Sequence, residues 1–233
     1  NGGTLHNYRL AVAATAEYTA YHGGTVALAL AAINTTINRV NGIYERELSV
    51  RMVLIANETA IIHTDTTKDD YTNGDASLMI DENQKELDKD IGNANYDIGH
   101  VFGTDSGGLA GAGVCNNAVK ARGVTGSSDP VGDAFDVDYV AHEIGHQFGA
   151  NHTFNGSTAD CNGNREPTAA YEPGSGSTIM GYPGICGAEN LQSNVNDYFH
   201  VKSLEEIVAF VNGNGCDTEA SNGNVIPLVN AGS

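Results

Sequence analysis

Residues 142–152 read His142-Glu143-Ile144-Gly145-His146-Gln147-Phe148-Gly149-Ala150-Asn151-His152. Val140, Ile144 and Phe148 recur every four residues, which predicts a helix over Asp136 to Phe148 with one apolar face. His142 and His146 are also four apart, so their side chains stack one turn above the other, off that stripe and free to face a cleft. Gly149 can adopt a positive φ and break the helix, letting the chain turn and deliver His152 to the same point. Three neutral imidazoles and one open position are what a catalytic zinc ion needs, and zinc lowers the pKa of its bound water to near 7. Glu143, beside the first ligand, is placed to take that water's proton as it attacks a carbonyl and to pass it to the leaving amine. Three of the eight histidines fall in this register, which argues against chance. A purely structural zinc site closes its fourth position with protein, and Glu143 argues against that too.

Upstream, Tyr8 to Ala14 reads as a strand. Val26 to Val40 reads as a helix, with Val26, Leu30, Ile33, Ile37 and Val40 on one face and Gly42 at its end. Leu48 to Ile55 alternates and reads as a half-buried strand. Asp75 to Ile91 reads as a polar helix marked by Met79, Leu87 and Ile91, and Tyr96 to Phe102 as a third strand. Gly107 to Val114 suits an exposed edge strand or a loop. Downstream, Asn151 to Val201 has almost no period, and a stretch of that length must be tied down. Ser203 opens a last helix, with Glu206 completing a capping box and Gly213 ending it. Residues after about Asn222 read as a tail. Strands alternating with helices imply an α/β fold, with helices packed on a mostly parallel sheet.

The chain has 233 residues, enough for one large domain with a sizeable core. Eleven Lys and Arg against 29 Asp and Glu give −18, so nucleic acid and anionic lipid are not expected partners. The longest apolar run, Thr25 to Ile33, is far too short to span a bilayer. No signal peptide is visible, which suits a mature or excised form of an exported protein. Cys115, Cys161, Cys186 and Cys216 lack C-x-x-C spacing, so zinc-finger and thioredoxin readings fail; two disulfides in an exported protein are favoured over four free thiols.

The string H-E-x-x-H-x-x-G-x-x-H, followed by Thr178-Ile179-Met180-Gly181-Tyr182, resembles the metzincin metalloendopeptidases and their Met-turn. The cysteine placement and Ala141-His142-Glu143-Ile144-Gly145-His146 look most like the adamalysin or reprolysin branch, particularly its bacterial relatives. That resemblance implies a secreted endopeptidase with one catalytic Zn2+ on His142, His146 and His152 and Glu143 as general base. It implies protein or peptide substrates, a monomer, and a pro-segment outside this sequence that blocks the zinc until removed. It implies bridges Cys115–Cys216 and Cys161–Cys186. It implies a single catalytic domain over 1–222, with an upper part to about 152, a lower irregular part over about 153–222 ending in a helix, and a tail over 223–233. Substrate would lie extended along an edge strand near Gly107 to Val114, and Tyr182 to Asn190 would shape the pocket beside the scissile bond.

There are departures. Animal reprolysins often carry Asp after the third histidine and Cys before the Met-turn, where this chain has Thr153 and Thr178. His152-Thr153-Phe154 resembles the pappalysin branch instead. Tyr182 resembles the tyrosine of astacins and serralysins, and either approaches the metal or packs against the helix. Asp129, Asp133, Asp136 and Asp138 are calcium-type ligands without EF-hand spacing, better read as helix-end and surface charges. Arg9 stands where relatives that bind calcium would want a carboxylate, so calcium is not assigned. His63, His100 and His200 read as surface or hydrogen-bonded histidines. The alternative from another class is a non-catalytic zinc-containing adhesion or binding module of the same fold.

Overall fold

The computed structural model describes residues 3–105 and 107–224. The sheet is organised by its longest strand, β1 (Thr4–Ala14), which has neighbours along both edges. On one side β1 runs parallel to β2 (Val50–Leu54) across His6 to Leu10. On the other it runs parallel to β3 (Ile98–Gly103) across Leu10 to Ala14. Beyond β3 the order continues through β5 (Gly123–Gly126, parallel) to an antiparallel edge strand, β4 (Gly108–Ala110). A short strand, β6 (Thr218–Ser221), pairs antiparallel with Thr4 to Asn7 of β1.

Helices cover both faces. The alternation of β1 sorts its side chains: Leu10, Val12 and Ala14 join the core beneath α2 (Val26–Leu48), whereas Ala11 and Ala13 join that beneath α3 (Ala76–Asp90). Thr25 caps α2 by accepting from the Leu28 amide, and Asp75 caps α3 by accepting from the Ser77 and Leu78 amides. A short α1 (Ala16–Tyr21) precedes α2. The outer edge of β2 is covered by a side chain: Asn41 of α2 accepts from the Met52 amide and donates to its carbonyl, both at 2.8 Å. That satisfies one residue's worth of an otherwise open edge.

Several expectations change. The second helix runs straight through Gly42 to Leu48 and ends on Ser49, which takes a left-handed conformation at φ 55°. Ile43, Tyr44 and Leu48 continue its buried stripe, which outweighs one glycine's low propensity. The helix expected from Asp136 starts earlier, as α4 (Asp133–Phe135), passes through a π-helical turn (Asp136–Ala141) and finishes as α5 (His142–Gln147). Tyr44 donates to the Ala141 carbonyl within that turn, and Asp136 accepts from the Thr36 hydroxyl. The last helix, α6 (Val201–Gly213), opens two residues before Ser203: His200 caps it by accepting from the Lys202 amide, so there is no Ser203–Glu206 capping box. Glu206 instead binds the amide and side chain of Asn151. Strands β5 and β6 were not anticipated. The tail expected after Asn222 lies, from residue 225 onward, outside the described residues.

Both disulfides form as the resemblance implied. Cys115–Cys216 ties the loop after β4 to the chain following α6, and Cys161–Cys186 closes the irregular stretch on itself. Among the described residues no helix is long and apolar enough to cross a membrane.

Candidate metal centre and cleft

Helix α5 carries His142 and His146 on one face, and Gly149, at φ 87°, reverses the chain so that His152 returns to them. The three Nε2 atoms converge: His146 Nε2 lies 3.1 Å from that of His142 and 3.0 Å from that of His152. Each ring is aimed by its other nitrogen. His142 Nδ1 donates to the Ile179 carbonyl at 2.7 Å, His146 Nδ1 to the Ala150 carbonyl at 2.7 Å, and His152 Nδ1 to the Asn164 carbonyl at 2.6 Å. A carbonyl only accepts, so the hydrogen of each neutral ring sits on Nδ1 and the lone pair on Nε2.

Burial keeps the rings neutral, lowering His142 far below the ordinary histidine value, His146 to about 3 and His152 less far; the neighbouring rings push His142 and His146 further down. Three converging lone pairs repel unless a cation lies between them. A tetrahedral ion with nitrogen ligands at about 2.05 Å would set them roughly 3.3 Å apart, close to the spacing found. The donor set therefore fits a zinc-type ion.

The floor of this centre comes from the turn at Met180. The Ile179 carbonyl aims His142, and the Met180 carbonyl accepts from the Thr153 amide next to His152. Met180 is fully buried, and a Cβ on Gly145 would stand 2.7 Å from its sulfur. Gly145, between the two helical histidines, is thus the position that admits the methionine.

Glu172, which the sequence did not single out, joins the two pieces. It is buried and accepts from the hydroxyls of Thr153 and Thr178, both at 2.6 Å, and from the Ser177 and Thr178 amides. Burial raises its pKa, but these four donors win and hold it below the ordinary value. Thr153 and Thr178 are the two departures from the animal reprolysin pattern. Here they face one carboxylate.

Glu143 sits on α5 beside His142, 6% exposed, and burial pushes its carboxyl up to about 8. It lines a cleft of about 520 Å³ together with His142, Gly107, Gly108 and the Tyr182–Ile185 segment. Of the residues expected to shape the pocket, Tyr182, Pro183 and Ile185 line it, while Cys186 is buried in its disulfide. The Tyr182 ring packs edge-on to His152, its centroid 4.6 Å away, and lies 5.5 Å from that of His142 and 4.6 Å from that of Phe154. His63, His100 and His200 lie away from the centre. His100 is a neutral core residue, lowered by burial to about 4 and hydrogen-bonded to Gln147 and Thr125. Nothing in the sequence could mark the Ile179, Ala150 and Asn164 carbonyls, since every residue has one.

A mostly parallel sheet, a three-histidine centre and a glutamate beside it describe a metallopeptidase. The family description "Metallo-peptidase family M12B Reprolysin-like" matches residues 4–210, and the chain belongs to that family. Comparison with curated proteins finds no significant match. Among solved structures, a chain from "Structure of a chaperone-substrate complex" is similar with a TM-score of 0.52 and 14% identity, over 90% of this chain. At that identity the likeness is one of fold. This chain spans 36% of the length of that neighbour.

Proposed function

We propose that this chain is the catalytic domain of a secreted zinc endopeptidase that hydrolyses internal peptide bonds. The observation that carries the reading is the convergence of three Nε2 lone pairs at 3.0–3.1 Å beside the buried carboxyl of Glu143. His142, His146 and His152 would hold one Zn2+. When bound, that ion supplies Lewis acidity and an acidified water. The residues of the chain supply the rest. Glu143 accepts the water's proton and returns it to the leaving amine. The Ile179, Ala150 and Asn164 carbonyls hold the three rings in one tautomer. The edge strand β4, whose Gly108 packs against the Glu143 carboxyl at the rim of the cleft, offers main-chain groups to an extended peptide. Two disulfides support an oxidising, extracellular setting, and a monomer released from a zinc-blocking pro-segment completes the proposal. A non-catalytic adhesion module of the same fold has no need for a buried carboxylate aimed at the cleft.

The test is digestion of reduced casein by the zinc-loaded protein, with and without a chelator, product ends being read by mass spectrometry. Chelator-sensitive cuts at internal bonds are expected. Full zinc occupancy without any cut would turn the reading toward the adhesion module.

A further inference from the structure

The cleft beside Glu143 is unbalanced in charge. Its walls include Asp138, Asp160 and Glu143 and no Lys, Arg or His other than the candidate ligand His142. Asp138 is positioned by neutral donors only: Val195 donates its amide at 3.1 Å and Asn194 its side-chain amide at 2.6 Å. Those bonds fix the carboxylate and leave its charge uncompensated, and each oxygen keeps a free lone pair. Among the ion pairs of the described residues, none includes Asp138, Asp160 or Glu143. Arg39, the nearby cation, is taken up by Asp133 and Asp197. Glu143, assigned above to the water's proton, borders the same cavity, 6% exposed. The remaining walls are apolar or aromatic: Tyr139, Tyr182, Ile185 and Val195. Such a cavity offers greasy sides to a hydrocarbon stem and carboxylates to a cationic head.

We infer that this pocket takes the side chain of arginine or lysine, so that the enzyme cuts beside basic residues. This rests on the endopeptidase reading above and names its substrate class. The net charge of −18 works in the same direction, drawing basic peptides toward the molecule.

The experiment compares quenched peptides identical except for Arg, Leu or Glu immediately after the scissile bond, cut by the zinc-loaded protein. The Arg peptide should exceed the Leu peptide in kcat/KM by about tenfold or more, with Glu lowest. Asp138→Asn and Asp160→Asn, tested separately, should each lower the Arg-to-Leu ratio, and together abolish it. Asp160 is exposed, so that variant remains informative if Asp138→Asn disturbs the fold. Leu equal to Arg, or an Arg preference unmoved in Asp160→Asn and the double variant, overturns the inference while leaving the peptidase intact. If none of the peptides is cut, the peptidase reading fails. Calorimetric binding of the intact Arg and Leu peptides then judges the pocket separately, and equal affinities overturn it.

Discussion

Glu58 stands in for a missing strand beside Val12: its Oε1 accepts from the Val12 amide at 2.6 Å. Strand β2 leaves β1 after Leu10, and the main chain rejoins it only at Ala14, where His63 donates to the Ala14 carbonyl. The side chain fills the gap. Its other oxygen, Oε2, is buried with no partner among the described residues. Burial pushes the carboxyl up to about 8, with the Val12 amide opposing. The folded state therefore keeps a proton that an unfolded glutamate, at about 4.3, has released. Glu58's contribution is complete below about pH 4 and is lost as pH rises toward 8. Urea unfolding at pH 5 and pH 8 should show wild type losing more stability than Glu58→Gln, by several kcal/mol at most. Matching pH dependences would contradict this.

The Glu172 network predicts a local failure. Glu172→Ala would strand the Thr153 and Thr178 hydroxyls and two amides, costing on the order of 3 kcal/mol. Because the network links the His152 segment to the Met180 turn, metal affinity should fall along with the melting temperature. A variant that melts early but binds zinc like wild type would limit Glu172 to a stabilising role.

Gly145→Ala places a methyl group against the Met180 sulfur. The expected result is roughly tenfold weaker zinc binding through displaced ligand orientation. Combining it with Met180→Ala should return part of the loss, a coupling that a double-mutant cycle measures. Independent, additive effects would show that the contact is not what requires the glycine.

Glu143→Gln keeps the size of the side chain and removes its basicity. Zinc content and fold should persist while turnover drops about 10²- to 10⁴-fold. Retained hydrolysis would remove Glu143 from the proposed role.

The two disulfides should differ in worth. Cys115–Cys216 spans 101 residues and Cys161–Cys186 spans 25. Loop-closure entropy assigns about 4.7 and about 3.5 kcal/mol respectively. Replacing each pair by serine and measuring denaturant midpoints tests both the order and the size of the gap.

The helical metal motif, the family and the main parallel strands were legible because periodicity and spacing act locally. Strand β5 was not. Its four residues, Gly123-Val124-Thr125-Gly126, have too little pattern to read, and they become a strand because β3 and β4 pair with them on either side. The run of α2 past Gly42 is written in Ile43, Tyr44 and Leu48, whose apolar stripe outweighs the glycine. Ser203 and Glu206 match a capping box by letter, but the Asn151 segment claims Glu206 and His200 claims the cap. Thr153 and Thr178 stood out as departures. Only the fold reveals that Glu172 makes them a pair.

The pairing of Thr4 with Ser221 also decides how the molecule would bear a load. Pulled between these two residues, the antiparallel β1–β6 contact opens like a zipper, one rung at a time, at low force. Extension then meets Cys115–Cys216, which holds the 101-residue loop, metal motif included, out of the line of tension. In the oxidised protein that loop withholds about 350 Å of contour length, and only reduction would release it.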